Sequence, residues 1–197
     1  MLLLTIAIFV LFPAMLSCSA SIGHLNPIIL EFFSSNDMDT TEKTLNISST
    51  SDDWRGVALS NFGLSPFVLE GMLFASIEGF IQGVKFPEGD PKREVAFMSS
   101  GWPAKHLGDI ADRSGAYWGG VCLAYGSPEH HRLIEQAIRA RIEQSKGLQA
   151  ALVSTADCTL IHDTGAAGES PTTSLPAVVF CRILTTLRKE LLNQGKA

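Results

Sequence analysis

Within ASIEGFIQGVKF, residues 75–86, the apolar side chains Ile77, Phe80, Ile81 and Val84 recur at i, i+3, i+4 and i+7. A strand would scatter these four over both of its faces, whereas a helix gathers them on one stripe that must be buried. Ser76 stands where such a helix needs its N-cap. The same winding puts Glu78, Gln82 and Lys85 on a second stripe. At about 100° per residue they fall within roughly 60° of one another, centred about 120° from the apolar stripe, so they border the core rather than oppose it. Gly79 and Gly83 each cost about 1 kcal/mol of helix propensity against alanine, which predicts that something approaches the backbone closely there. Two readings of the polar stripe follow, a solvated surface or the wall of an active site.

Local signals place the neighbouring elements. Pro66–Leu69 and Met72–Phe74 read as hairpin arms around a Glu70-Gly71 turn. Asp90-Pro91 caps a helix carrying Val95, Ala96 and Met98 and stopping at Gly101, after which Trp102-Pro103 opens a short turn. Ser127-Pro128 repeats the signature before Leu133, Ile134, Ala137, Ile138 and Ile142. Gly147 interrupts that helix, and LQAALVST adds another helical piece. CTLIH, residues 158–162, alternates as a strand. Ser174 is the expected cap of a last helix whose buried side is Leu175, Val178, Val179 and Leu187 to Leu191. Helices outnumber strands and no alternating βαβ order occurs, so the expected fold is a compact, mainly α (α+β) domain with a small β element.

The ends of the chain carry a different signal. MLLLTIAIFVLFPAMLSCSA is too short for a stable membrane span and is similar to a secretory leader cleaved after Ala20, yet the first basic residue is Lys43. The alternative is translation from Met38. The expected organisation is an apolar leader or extension over 1–37, a polar linker over 38–54 and the domain over 55–197, in the cytoplasm unless the leader is real. Only secretion would give the sequon Asn46-Ile47-Ser48 a meaning. A net charge of −5 excludes bulk electrostatic binding of nucleic acid, though not a pocket for one nucleotide. Of four cysteines, only Cys158 has a ligand-like neighbour, in the lone CxxxH with His162, which makes no zinc site; Cys122, Cys158 and Cys181 read as small buried hydrophobes. The tandem His130-His131 reads as surface. His162-Asp163 looks like half of a catalytic dyad but lacks a nucleophile motif.

SNF at 60–62, SPFVLEG at 65–71, SIEGFIQGVKF at 76–86, PAKHLGD at 103–109 and STADCTLIH at 154–162 follow one another in an order that resembles the NADAR, or YbiA-like, domain. The resemblance runs from Asn61 to His162. Asn61, Glu78, Gln82 and Lys85 match its polar positions, Trp118 its later tryptophan and Asp157 its strand-entry acid. Asp109 stands where the family has arginine, His162 replaces a glutamate, and the late glycine-rich segment is not recognisable, with Pro176 at its second glycine.

The resemblance implies metal-independent, cofactor-free cleavage of a ribose–nitrogen bond. The partner it implies is a phosphorylated ribosyl small molecule, such as a ribosylamino-pyrimidine of the riboflavin pathway, or a nucleobase adduct such as ADP-ribosylated guanine. Breaking that bond builds positive charge on the sugar and needs a carboxylate near the anomeric carbon. Glu78 is the candidate acid/base. Lys85 is a candidate for holding a phosphate or, once deprotonated, attacking the sugar. Asp157 is the candidate to steady the cation or orient Lys85. Asn61 is the candidate for ribose hydroxyls, Gln82 for supporting Glu78, Lys105 for phosphate and Trp118 for stacking on the base. The rival reading is a non-catalytic ADP-ribose or nucleotide-binding module, which the departures at Asp109 and the late segment favour.

Overall fold

A computed structural model of the protein describes residues 43–195. The expected leader, Cys18 and the start at Met38 lie outside them. Thirteen elements follow in order: β1 Thr44–Asn46, α1 Trp54–Leu59, β2 Phe67–Leu69, β3 Met72–Phe74, α2 Ile77–Gly83, α3 Pro91–Phe97, α4 Gly101–Asp109, β4 Ala116–Trp118, β5 Val121–Leu123, α5 Pro128–Glu143, α6 Lys146–Val153, β6 Thr159–Ile161 and α7 Ala177–Gln194. The fold is α+β, dominated by its helices.

The strands form three two-stranded ribbons. β2–β3 and β4–β5 are antiparallel hairpins, whereas β1 and β6 pair in parallel, Leu45 opposite Leu160. Glu70 and Gly71 both take positive φ, 50° and 79°, as a two-residue hairpin turn of the mirror-image type requires. The β1–β6 pair corrects the expected linker over 38–54. The polar stretch contributes a strand because Leu45 and Ile47 are buried, and the side-chain amide of Asn46 bonds the backbone of Asp163 in both directions. The sequon amide is thus occupied in joining the two strands.

Caps explain most helix starts. Ser76, Asp90, Ser127 and Ser145 each accept a backbone N–H of the first turn. Three expectations fail. Gly147 does not interrupt a helix but lies inside α6, the break falling at Gln144 and the capping Ser145. Residues 101–109 form a helix rather than a turn, since Pro103 lies in the first turn, where its missing N–H costs nothing. The last helix starts after Pro176, not at Ser174, whose hydroxyl lies 2.6 Å from the Tyr125 hydroxyl instead. Accordingly Val178 is exposed and Phe180, Ile183, Leu184 and Leu187 form the buried side.

The core is aromatic at one end, where Phe67, Phe74, Phe80 and Phe97 pack with centroids 4.8–6.3 Å apart. It is aliphatic at the other, where α5 and α7 meet. His130 is fully buried rather than on the surface. The Gly126 N–H donates to its Nδ1 at 3.0 Å, and burial, with the charges of His131 and Lys85, holds its pKa down at about 4. Cys158 and Cys181 pack against the core as expected, whereas Cys122 is exposed.

Candidate active site

Every residue of α2 is buried, so the helix has no solvent face. Its start is fastened twice. Ser76 Oγ accepts the Gly79 N–H at 2.8 Å and donates to the Ser99 carbonyl at 2.9 Å, and the Asn61 carbonyl accepts the Glu78 N–H at 2.9 Å. The two glycines explain how α3 and the turn after it fit alongside. A Cβ on Gly79 would stand 2.4 Å from the Ser99 carbonyl oxygen and 2.5 Å from that of Ala96, and one on Gly83 would stand 2.3 Å from the Phe97 ring. What approaches this backbone is α3, not a ligand. With the core on one side and α3 on another, the Glu78–Gln82–Lys85 stripe is left facing a cleft.

The cleft has a volume of about 780 Å³, within the usual range for small-molecule sites. One wall is the stripe of α2, with Trp102, Lys105 and Asp109 of α4 and Arg113 beyond it. The other is the turn after β1, residues 48–50, and the segment after β6 from His162 onward. Asn61 and Phe62 stand at its edge. Gly108 lets α4 close on the stripe, because a Cβ there would overlap Gln82 Oε1.

Within the stripe, Gln82 Nε2 donates to Glu78 Oε1 at 2.7 Å, and Lys105 Nζ lies 3.9 Å from the same oxygen. Glu78 is only 6% exposed, and burial raises its pKa against the opposing pull of Lys105, Gln82 and Lys85. A carboxyl so placed keeps its proton more readily than a free one, the property a general acid needs. Lys85 is 3% exposed and forms no ion pair among the described residues; its Nζ lies 5.9 Å from the centroid of the Tyr125 ring. Burial lowers its pKa to about 8, reinforced by the charges of Arg113 and Lys105. Three cations thus converge on the wall that carries the buried acid.

Of the residues expected from sequence, Asn61, Glu78, Gln82, Lys85 and Lys105 line the cleft together, and Asn61 Oδ1 is buried without a hydrogen-bond partner. Two do not. Asp157 is exposed in the turn between α6 and β6 and lies outside the cleft lining. Trp118 packs against Phe74 and Phe80, with the Arg93 guanidinium 5.9 Å from its ring, so it belongs to the core. The tryptophan of the cleft is Trp102, 64% exposed and edge-on to Phe62 with ring centroids 5.5 Å apart.

Arg113 also escaped the sequence reading. Its φ of 54° follows the end of α4, its Nε is buried without a hydrogen-bond partner, and its Nη2 lies 3.7 Å from Asp109 Oδ1. A basic group is absent at position 109 but present four residues later, beyond the end of α4. Among the described residues no three His, Cys, Asp or Glu side chains gather as a metal site. No helix among them is long and apolar enough to cross a membrane.

Several known proteins are similar to this chain. The family described as Bacteriophage protein GP30.3 matches residues 53–189. The "Uncharacterized 17.1 kDa protein in Gp30-rIII intergenic region" of Enterobacteria phage T4 is 32% identical over 142 residues, covering 70% of this chain and 93% of that protein. N-glycosidase YbiA of Escherichia coli strain K12 is 30% identical over 123 residues, covering 61% of this chain and 69% of that protein. The NMR structure of E. coli YbiA superposes with a TM-score of 0.56 at 27% identity, covering 78% of this chain and 88% of that one.

Proposed function

Because this chain belongs to the bacteriophage protein GP30.3 family and carries a NADAR/YbiA-like domain, we propose that it is an N-glycosidase that hydrolyses the bond between a ribose and a base-like nitrogen. The observation that carries this reading is the buried carboxyl of Glu78, its pKa raised, on the wall of a cleft beside three cations. The similarity to proteins named N-glycosidase supports it.

Glu78 gives its proton to the leaving nitrogen, and Gln82 holds the carboxyl in place. As the bond to nitrogen lengthens, charge grows on the sugar, and the carboxylate left behind stabilises it. Lys85, Arg113 and Lys105 form the grip for the substrate's phosphate, and Trp102 with Phe62 is the platform for its base. The substrate is a phosphorylated ribosylamino-pyrimidine or an ADP-ribosylated guanine, which share these parts. Asp109 and the altered late segment keep a second reading in play, a pocket that binds ADP-ribose or a nucleotide without turnover.

The test uses the full chain and Glu78→Gln, each incubated with both substrates, with base release followed by chromatography and mass spectrometry. Release by the wild type and none by Glu78→Gln is expected, and the active substrate identifies the class. No release with either, while ADP-ribose still raises the melting temperature, would select the binding module.

A further inference from the structure

A glycosidase cleft that spends its one buried acid on the leaving group still needs a lone pair to prepare the attacking water. Each of the other carboxylates of the lining is tied through one oxygen to a group of the protein. Asp109 lies against Arg113 at 3.7 Å, Asp163 accepts the Gly165 N–H at 2.7 Å, and Glu169 accepts the backbone N–H of Ala177. His162 lines the same cleft just after β6 and is half-buried.

The ring's geometry determines which nitrogen is free. Nδ1 stands 2.6 Å from the carbonyl oxygen of Ile47, the residue after β1. A carbonyl oxygen can only accept, so Nδ1 carries the hydrogen, and the neutral ring keeps its lone pair on Nε2. Phe180 meets the imidazole edge-on at 90°, with centroids 5.3 Å apart, so turning the ring would sacrifice both packing and the hydrogen bond. Among the described residues nothing hydrogen-bonds to Nε2. The neighbouring Asp163 does not serve the ring, since its carboxylate is turned to Gly165. A backbone carbonyl does the orienting that a carboxylate does in a dyad.

We propose that His162 is the general base of this site, accepting a proton from water through Nε2, an inference that rests on the glycosidase reading above. One O–H bond of the water breaks and its proton goes to Nε2, while the water oxygen bonds to the anomeric carbon. The carbon–nitrogen bond breaks with its electron pair on nitrogen, which takes the proton of Glu78. The site is left with one proton more on His162 and one fewer on Glu78, and exchange with solvent restores both.

His162→Asn tests this without dismantling the wall, because the asparagine amide N–H reaches the place of Nδ1–H and keeps the bond to Ile47. The full chain, wild type and variant, is assayed on ribosylamino-pyrimidine phosphate and on ADP-ribosylated guanine. His162→Asn is expected to lower kcat by about 10²- to 10⁴-fold with KM and melting temperature little changed. Imidazole added to His162→Ala, which leaves room for it, is expected to restore part of the rate. An unchanged kcat in His162→Asn, or a loss in His162→Ala that imidazole does not relieve, overturns the role. A wild type silent on both substrates overturns the glycosidase reading and this inference with it, whereas a failure confined to His162 leaves that reading standing.

Discussion

A carboxyl group shut away from water resists ionisation, and for Glu78 that resistance has a thermodynamic sign. Its folded pKa lies above the ordinary 4.5, so above that pH the native state holds on to a proton that the unfolded chain releases. Ionisation therefore weighs against folding at neutral pH. Glu78→Gln, which keeps an oxygen for the Gln82 amide, is expected to raise the melting temperature while abolishing turnover; a scanning fluorimetry trace beside the base-release assay reads both. Lys85 behaves in the mirror sense. Its pKa of about 8 lies below the ordinary 10.5, so between those values the unfolded chain binds more protons and stability rises with pH. The charged amine costs about 3 kcal/mol below that window. Lys85→Met should be more stable than wild type near neutrality, with the gap closing toward pH of about 10 as wild type sheds the same charge, as paired urea titrations would show. A phosphate seated between Lys85 and Arg113 would restore the amine's affinity for its proton.

Helices of this protein tolerate a methyl group at some glycines and not at others, and propensity does not tell them apart. Gly79→Ala should gain helix propensity yet destabilise the protein by about 2–4 kcal/mol, because the new carbon meets two carbonyl oxygens that belong to backbone and cannot swing aside. In α6, Gly147→Ala meets only Ser145 Oγ at 3.9 Å and should stabilise by about 0.5 kcal/mol. Denaturant midpoints of the two variants should move in opposite directions. The same division governs what could be read from sequence. The caps at Ser76, Asp90 and Ser127, the Glu70-Gly71 turn and the period of α2 are local chemistry, and each is found where the residues predict it. The arms of β4–β5 are three residues each, too short for alternation to register, and β1 is a strand only because β6 returns beside it. Trp118 and Trp102 both sit among aromatic neighbours in sequence or space. Which one faces the cleft is decided by Phe74 and Phe80 packing around the first.

At the scale of the whole molecule, the β1–β6 ribbon ties the start of the described chain to the cleft. The family match begins at residue 53, after β1, but Leu45 and Ile47 are 3% and 0% exposed, and burial of such side chains is worth about 1.5–3 kcal/mol each. A chain begun at Asp53 is therefore expected to melt lower than one begun at Lys43. It would also lose the Ile47 carbonyl that orients His162, so its remaining activity should fall further than its stability alone explains; thermal melts and single-turnover rates at a temperature where both chains are folded separate the two effects. Finally, α2 is enclosed by the aromatic core, by α3 at its glycines and by the cleft at its polar stripe. All seven of its positions are buried against the core, α3 or the cleft wall, which leaves heritable variation little foothold there. Residues 163–172, all exposed on the far rim, and Trp102 at the mouth are under no such restraint. Lineages built on this plan can change what they recognise by rewriting the rim while the wall that α2 presents to the cleft is carried along unaltered.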